Sequence, residues 1–234
     1  MSVTPDGWFS WAIRDPGPLS KTNGGVNTVR GFVPHSAEGY WPHLGVLLHS
    51  PERRASWGAS NLKDGRLYQH YPIFAQTWTS GAGYPNNNFF SNETEGVAGE
   101  ALTEGQVANI VRQITELSEL QGWLPRRPSS QFDKTATLME HREMVRFGAE
   151  PTACPSGRIP WDRIMEELMG VSLGEFQALF RFTLEQAQVT QALGGGLAAV
   201  AKTVGAQGAE IDELQAAIVA NEARLADVRK VLEA

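Results

Sequence analysis

Apolar positions recur along this chain with helical, alternating and heptad spacing, and each predicts a different element. The helical case is the clearest. Val107, Ile110, Val111, Ile114 and Leu117 fall on one face of a 3.6-residue turn. Thr103 and Gln106 stand at capping-box spacing just before them, and Leu102 can staple to Val107. Gly122 and Pro125 end the pattern. A second, shorter helix is expected over 160–169, with Pro160 at a first-turn position that tolerates it. Ser172 and Glu175 repeat the capping grammar ahead of a helix through Phe176, Leu179, Phe180 and Leu184.

Alternation marks strands. Leu67, Gln69 and Tyr71 alternate with Tyr68, His70 and Pro72, directly after the turn signal Asp64-Gly65. Gly31-Phe-Val33 is a short apolar strand, while the run Leu44–Leu48 is too short for periodicity to separate strand from helical turn. Residues up to Val26, rich in Pro, Gly and Trp, read as an irregular opening segment. Its Trp8, Phe9, Trp11 and Ile13 pack onto the domain or line a ligand groove. The stretch 81–88, dense in Gly, Pro and Asn, is expected to be a loop, and Pro125–Ser130 an exposed one.

Heptad spacing appears after the triple glycine Gly194–Gly196. One row is Leu197, Val204, Ile211, Ile218, Leu225 and Leu232; the other is Val200, Gln207, Leu214, Asn221 and Val228. Such a seam predicts a coiled coil, hence a homo-oligomer through residues 197–232, with Gln207 and Asn221 interrupting the apolar rows. Gly205 and Gly208 weaken its first part. The other expectation for this helix is docking on its own domain.

Length and charge narrow the function. The 234 residues suffice for one compact domain plus an appendage. A net charge of −6 argues against a nucleic-acid partner, which would require a basic face. A single cysteine excludes an internal disulfide. The N-terminus shows neither the basic nor the apolar region of a signal peptide, and no apolar run reaches membrane-spanning length. Synthesis in a cytoplasm is therefore the expectation.

The candidate chemistry lies in Val33–Gly39, Met139–Glu143 and Thr152–Gly157, which carry His35, His141 and Cys154. Two neutral imidazoles and a thiolate suit Zn²⁺ and leave a fourth tetrahedral position for water, as in a catalytic zinc site. On spacing alone, packed histidines and a small buried cysteine remain the commoner alternative.

The surrounding motifs, in order over about Trp11 to Ile164, resemble the zinc-dependent N-acetylmuramoyl-L-alanine amidases of the peptidoglycan-recognition-protein fold, most closely the phage endolysin branch. Gly31–Gly39 is similar to that family's first strand, which ends in a zinc histidine. Arg54–Trp57 with Lys63–Pro72 resembles its Ser-Trp hairpin, Trp78–Gly81 its Trp-His-Ala-Gly, and Asn88–Gly96 its glutamate-bearing strand. Glu140-His-Arg142 and Cys154–Gly157 are similar to its last two ligand motifs.

The resemblance implies an α/β fold, a mixed central β-sheet flanked by helices, followed by the helical tail. It divides the chain into a zinc amidase domain over 1–168, a connecting helix over 169–193 and the heptad tail over 194–234. It favours helix for Leu44–Leu48. It implies bacterial peptidoglycan as substrate, Zn²⁺ on His35, His141 and Cys154, and Glu93 as acid/base with Glu95 as runner-up. Trp57 is implied as groove wall or oxyanion donor, and Thr152 as oxyanion donor or turn cap.

His49 is the rival first ligand, but the family places a helix between that ligand and the hairpin, and only the gap from His35 has room. His43 and His70 are weaker metal candidates; Glu38 and Arg142 flank ligands as orienting groups or plain surface charges. Gly58 and Thr79 stand where the family carries histidines, and Asn92 replaces an apolar residue of a core strand. The implied setting is lysis of an infected host, from its cytoplasm to the cell wall. A non-catalytic peptidoglycan-binding module and an amidase component of a virion are the alternatives.

Overall fold

The computed structural model describes residues 3–22, 24–170 and 215–222. The chain divides into two compact units, Met1–Leu173 and Gly174–Ala234.

In the first unit a five-stranded mixed sheet is built from β1 (Ile13–Arg14), β2 (Gly31–Ser36), β3 (Ala59–Asn61), β4 (Leu67–Gln69) and β5 (Phe89–Thr94), in the order β1-β4-β3-β5-β2. Only β3 and β4 pair antiparallel, across the Asp64-Gly65 turn, where Gly65 takes φ +86°. The longest ladder is parallel and joins β2 to β5, from Gly31 opposite Phe89 to Ser36 opposite Thr94. Every residue of β2 is buried, as expected for a strand covered on both faces.

β2 is the last strand of the sheet, but its free edge is not open. Phe32 N–H donates to Thr137 O (2.8 Å), and Met139 N–H donates to Phe32 O (3.2 Å), so residues 137–139 run alongside it as a parallel bridge. Three residues beyond the Phe32–Leu138 bridge, both chains carry a histidine: His35 and His141.

One face of the sheet packs on α3 (Glu104–Gln121). Its capping box forms as the sequence predicts, with Gln106 N–H donating to Thr103 Oγ1 and Thr103 N–H to Gln106 Oε1. Gly122 closes it at φ +69°. Val107, Ile110, Ile114 and Leu117 bury against Phe32, Phe90, Ala59 and Leu67, and α4 (Trp161–Met169) adds Ile164 to the same core. The opening segment joins this side as packing. Phe9 is 1% exposed, and Trp11 Nε1–H reaches the Glu116 carboxylate of α3.

The opposite face carries two smaller clusters. One gathers Val33, Phe89, Ala136, Met139 and Met144; the other gathers Leu44 and Leu48 of α1 (His43–His49) with Trp57 and Tyr71. Leu44–Leu48 is therefore helical, the alternative the resemblance favours. The expected loop over 81–88 is corrected: Gly83–Asn88 forms the short helix α2. Pro85 sits in its first turn, where a missing N–H costs no helical bond, and Phe89 N–H closes the turn on Pro85 O as β5 begins.

In the second unit residues 215–222 are helical, with Ile218 half-buried and Val219 exposed. Asn221 of the second heptad row is exposed there, and the heptad positions other than Ile218 and Asn221, the helix expected through 176–184 and the triple glycine lie outside the described residues. Among the described residues no helix is long and apolar enough to cross a membrane.

Candidate metal centre

His35 and Glu93 are register partners on β2 and β5, so their side chains leave the same face of the sheet side by side. That face is the one turned away from α3. The bridge that covers the edge of β2 brings His141 beside His35, with ring centroids 4.6 Å apart. Cys154 arrives from the following loop, where Arg142 N–H donates to Cys154 O at 2.8 Å and ties the loop to the His141 segment. One ligand atom each from His35, His141 and Cys154 lies within 4.8 Å of the others, a group that could hold a metal ion.

Two observations test whether a zinc ion fits. Zn–S near 2.3 Å and Zn–N near 2.0–2.1 Å at a tetrahedral angle put sulfur and nitrogen about 3.6 Å apart. Cys154 Sγ stands 3.7 Å from His35 Nδ1. The polar atoms are also incomplete. Glu93 Oε2 is buried beside this group and has no hydrogen-bond partner among the described residues; His35 Nε2, the ring nitrogen turned away from Cys154, is also open, as are Asn92 Nδ2 and Gln113 Oε1 elsewhere.

The electrostatics suit a group that binds a cation. Burial, then the neighbouring Glu93, push the Cys154 thiol up to about 12, and Glu38 and Glu140 add to the effect. Burial holds His35 well below its ordinary value, with His141 contributing, and burial alone lowers His141. Neutral imidazoles are ready donors, while a thiolate among three carboxylates calls for a dication.

Glu93 is the carboxylate that faces this set, with Oε1 3.8 Å from His35 Nδ1. Burial, reinforced by Glu38, lifts it to about 8. Glu95 does not share its face. β5 ends at Thr94, and the Glu95 carboxylate accepts the N–H groups of Trp41 (2.9 Å) and Lys63 (2.7 Å).

Thr152 Oγ1 accepts the Cys154 N–H (3.2 Å), which leaves its hydroxyl proton free to point elsewhere. Trp57, expected as groove wall or oxyanion donor, gives its single N–H to Ser60 Oγ (2.8 Å), is 5% exposed and packs with Leu44, Leu48 and Tyr71.

The other histidines lie apart from the three ligands. His70 is buried between Ser60 Oγ and Asp15 O (2.8 and 2.9 Å), and His49 stands 3.6 Å from Asp15 Oδ2. His43 opens α1 and is exposed. Gly58 departs from the resemblance for a steric reason: a Cβ there would meet the Phe90 ring at 2.3 Å. Thr79 keeps a polar role, bonding Ser56 O and Ser91 Oγ (2.8 and 2.7 Å).

Glu38 accepts bonds from Ser36 Oγ, Ser156 Oγ and Ala98 N–H, and Arg142 pairs with Glu140. Three residues of this neighbourhood escape sequence reasoning. Glu140, 1% exposed, accepts Trp161 Nε1–H (2.8 Å). Ser36 N–H points at Cys154 Sγ (3.3 Å), and Arg158 is buried close behind. Adjacency to a ligand was a usable signal for Glu140 and Ser36; none existed for Arg158.

No protein-family model matches the sequence, and no curated protein matches it. Solved structures do match. PlyL superposes with a TM-score of 0.52 at 12% identity, covering 67% of this chain and 96% of PlyL. A selenomethionine AmpD derivative gives 0.52 at 18% identity, covering 70% of this chain and 98% of that one. A mutant endolysin from Bacillus subtilis gives 0.51 at 18% identity, covering 67% and 97%. The chain shares the fold of these structures, a mixed five-stranded sheet flanked by helices.

Proposed function

We propose that the chain is a zinc-dependent N-acetylmuramoyl-L-alanine amidase, acting as an endolysin on bacterial peptidoglycan. The observation that carries this reading is the convergence of His35, His141 and Cys154 beside a partnerless glutamate oxygen. It occurs on a fold shared with a Bacillus subtilis endolysin. The bond broken joins the lactyl group of N-acetylmuramic acid to L-alanine.

His35, His141 and Cys154 would hold a zinc ion, which when bound would supply Lewis acidity and lower the pKa of water. Glu93 takes the proton from the attacking water. As the C–N bond breaks, it returns that proton to the alanine nitrogen, so the products are a lactyl carboxylate and a free L-alanine N-terminus. Burial raises the Glu93 carboxyl and a bound dication would draw it back down, and the two opposed influences suit a group that both accepts and donates a proton. The Thr152 hydroxyl, with its oxygen already steadied by Cys154 N–H, donates to the developing oxyanion. Trp57 walls the site from behind.

In this reading the protein works from the cytoplasm of an infected host until lysis and then at the cell wall. The heptad rows over 197–232 join copies and raise the local concentration of active sites on one polymer.

Metal analysis and mass spectrometry of digested cell walls test the reading together. The purified chain should carry zinc and release L-alanine N-termini, and Cys154→Ala should lose both. Full zinc occupancy in Cys154→Ala, or cleavage at another bond, overturns it.

A further inference from the structure

We infer that Arg158 is a positioning residue: from the loop that carries Cys154, it binds the ends of both strands that present His35 and Glu93 and sets the spacing of all three. The inference rests on the zinc-site reading above. Arg158 is 6% exposed. Its Nη1 donates to Ser36 Oγ (2.9 Å) and Thr94 O (3.1 Å), its Nη2 to Glu95 O (2.8 Å) and its Nε to Glu100 O (3.0 Å). Ser36 directly follows the ligand His35, and Thr94 directly follows Glu93. One guanidinium therefore spans the parallel β2–β5 pair at the point where both strands deliver their functional side chains.

Ser36 extends the connection back to the third ligand. Its N–H points at Cys154 Sγ (3.3 Å), and its hydroxyl donates to Glu38 Oε1 (2.7 Å) while accepting from Arg158. Glu38 in turn takes the Ser156 hydroxyl (3.1 Å), two residues beyond Cys154. Glu38 and Ser156 both hold left-handed backbone, at φ 46° and 59°, which non-glycine residues keep only where their surroundings enforce it. Gly96 leaves the room, since a Cβ there would lie 2.3 Å from Arg158 Nη2. The planar fork of arginine matches this spread of acceptors; the point charge of lysine does not.

The experiment compares zinc affinity, by competition with a chromophoric chelator, in the full chain and in Arg158→Lys, Arg158→Met and Ser36→Ala. The cobalt-substituted proteins are compared through the thiolate-to-metal charge-transfer band, and circular dichroism checks folding. The wild-type chain should bind zinc. Arg158→Met and Arg158→Lys should each lose roughly 10–100-fold in affinity with a displaced cobalt band, the usual scale for groups that orient metal ligands. Ser36→Ala should lose less, in the same direction. Wild-type affinity and an unshifted band in both Arg158→Lys and Ser36→Ala overturn the inference, including where Arg158→Met does not fold. A wild-type chain that binds no zinc instead overturns the zinc-site reading itself.

Discussion

The two faces of β5 carry polar groups of different kinds, amides toward α3 and ionisable groups toward the proposed metal centre. Toward α3, Asn61, Gln106 and Asn109 are bonded to one another and to backbone. Asn61 Nδ2 donates to Gln106 O, Asn109 Nδ2 to Asn61 Oδ1, and Gln106 Nε2 to Glu95 O. Buried atoms without a partner occur on both sides, Asn92 Nδ2 and Gln113 Oε1 on the α3 side and Glu93 Oε2 beside His35. A sharper contrast divides two carboxylates. Asp133 is held by Arg126, Ser129 and Thr135 and titrates below its ordinary range, chiefly because of Arg126. Glu93 has no such partners and is lifted to about 8. A carboxylate closed by donors serves stability, whereas a buried one left without donors beside His35 and Cys154 is placed for chemistry; its neighbours and its titration make the difference, since open amides occur on the α3 side too.

The contrast is broken most directly at Glu93. Glu93→Gln should keep its zinc yet lose roughly two to four orders of magnitude in turnover on soluble muropeptides. Near-normal turnover would show the open carboxylate to be idle. The opposite face should answer in stability instead. Ile114→Ala, at a residue 0% exposed beneath the sheet, should cost about 2–5 kcal/mol in urea unfolding while zinc stoichiometry and the turnover of folded protein stay unchanged. A parallel loss of metal would mean the two faces are not separable.

The smallest effect belongs to Asp133→Asn, which should lower the melting temperature by a few degrees at pH 7. The folded carboxyl titrates below its unfolded value near 3.9, so its stabilisation is complete above about pH 4 and fades as pH falls toward the folded value. The melting gap between wild type and Asp133→Asn should therefore narrow progressively as pH falls below about 4. A gap of constant size over that range would remove the charge from the explanation.

What the sequence makes legible follows from how local each determinant is. α3 was readable end to end because its cap, its apolar stripe and its left-handed Gly122 all lie within one segment. His35 was separable from His49 by the room that α1 needs before the hairpin. Glu93 and Glu95 were not separable by alternation, since that assumes a strand continuing past Thr94. The chain instead turns there, with Glu95 N–H bonded to Asn61 O. α2 was hidden because its Gly, Pro and Asn carry the composition of a loop, while its helical turn is closed by the start of β5. Gly58 depends on the Phe90 ring of another strand, and Arg158 on backbone carbonyls 58 and 64 residues away.

The strip over residues 137–139 that lies along β2 ties two features of the molecule to one segment. His35 and Cys154 are 119 positions apart, and no stretch of chain shorter than that holds both. His141 follows directly on the strip, which also withdraws the rim of the sheet from pairing with other chains. Sealing of the rim and completion of the three-residue group therefore depend on the same stretch of chain. On the proposed reading, a chain that ends before this strip has an open rim and one histidine of the set, and lacks the site that would cleave peptidoglycan.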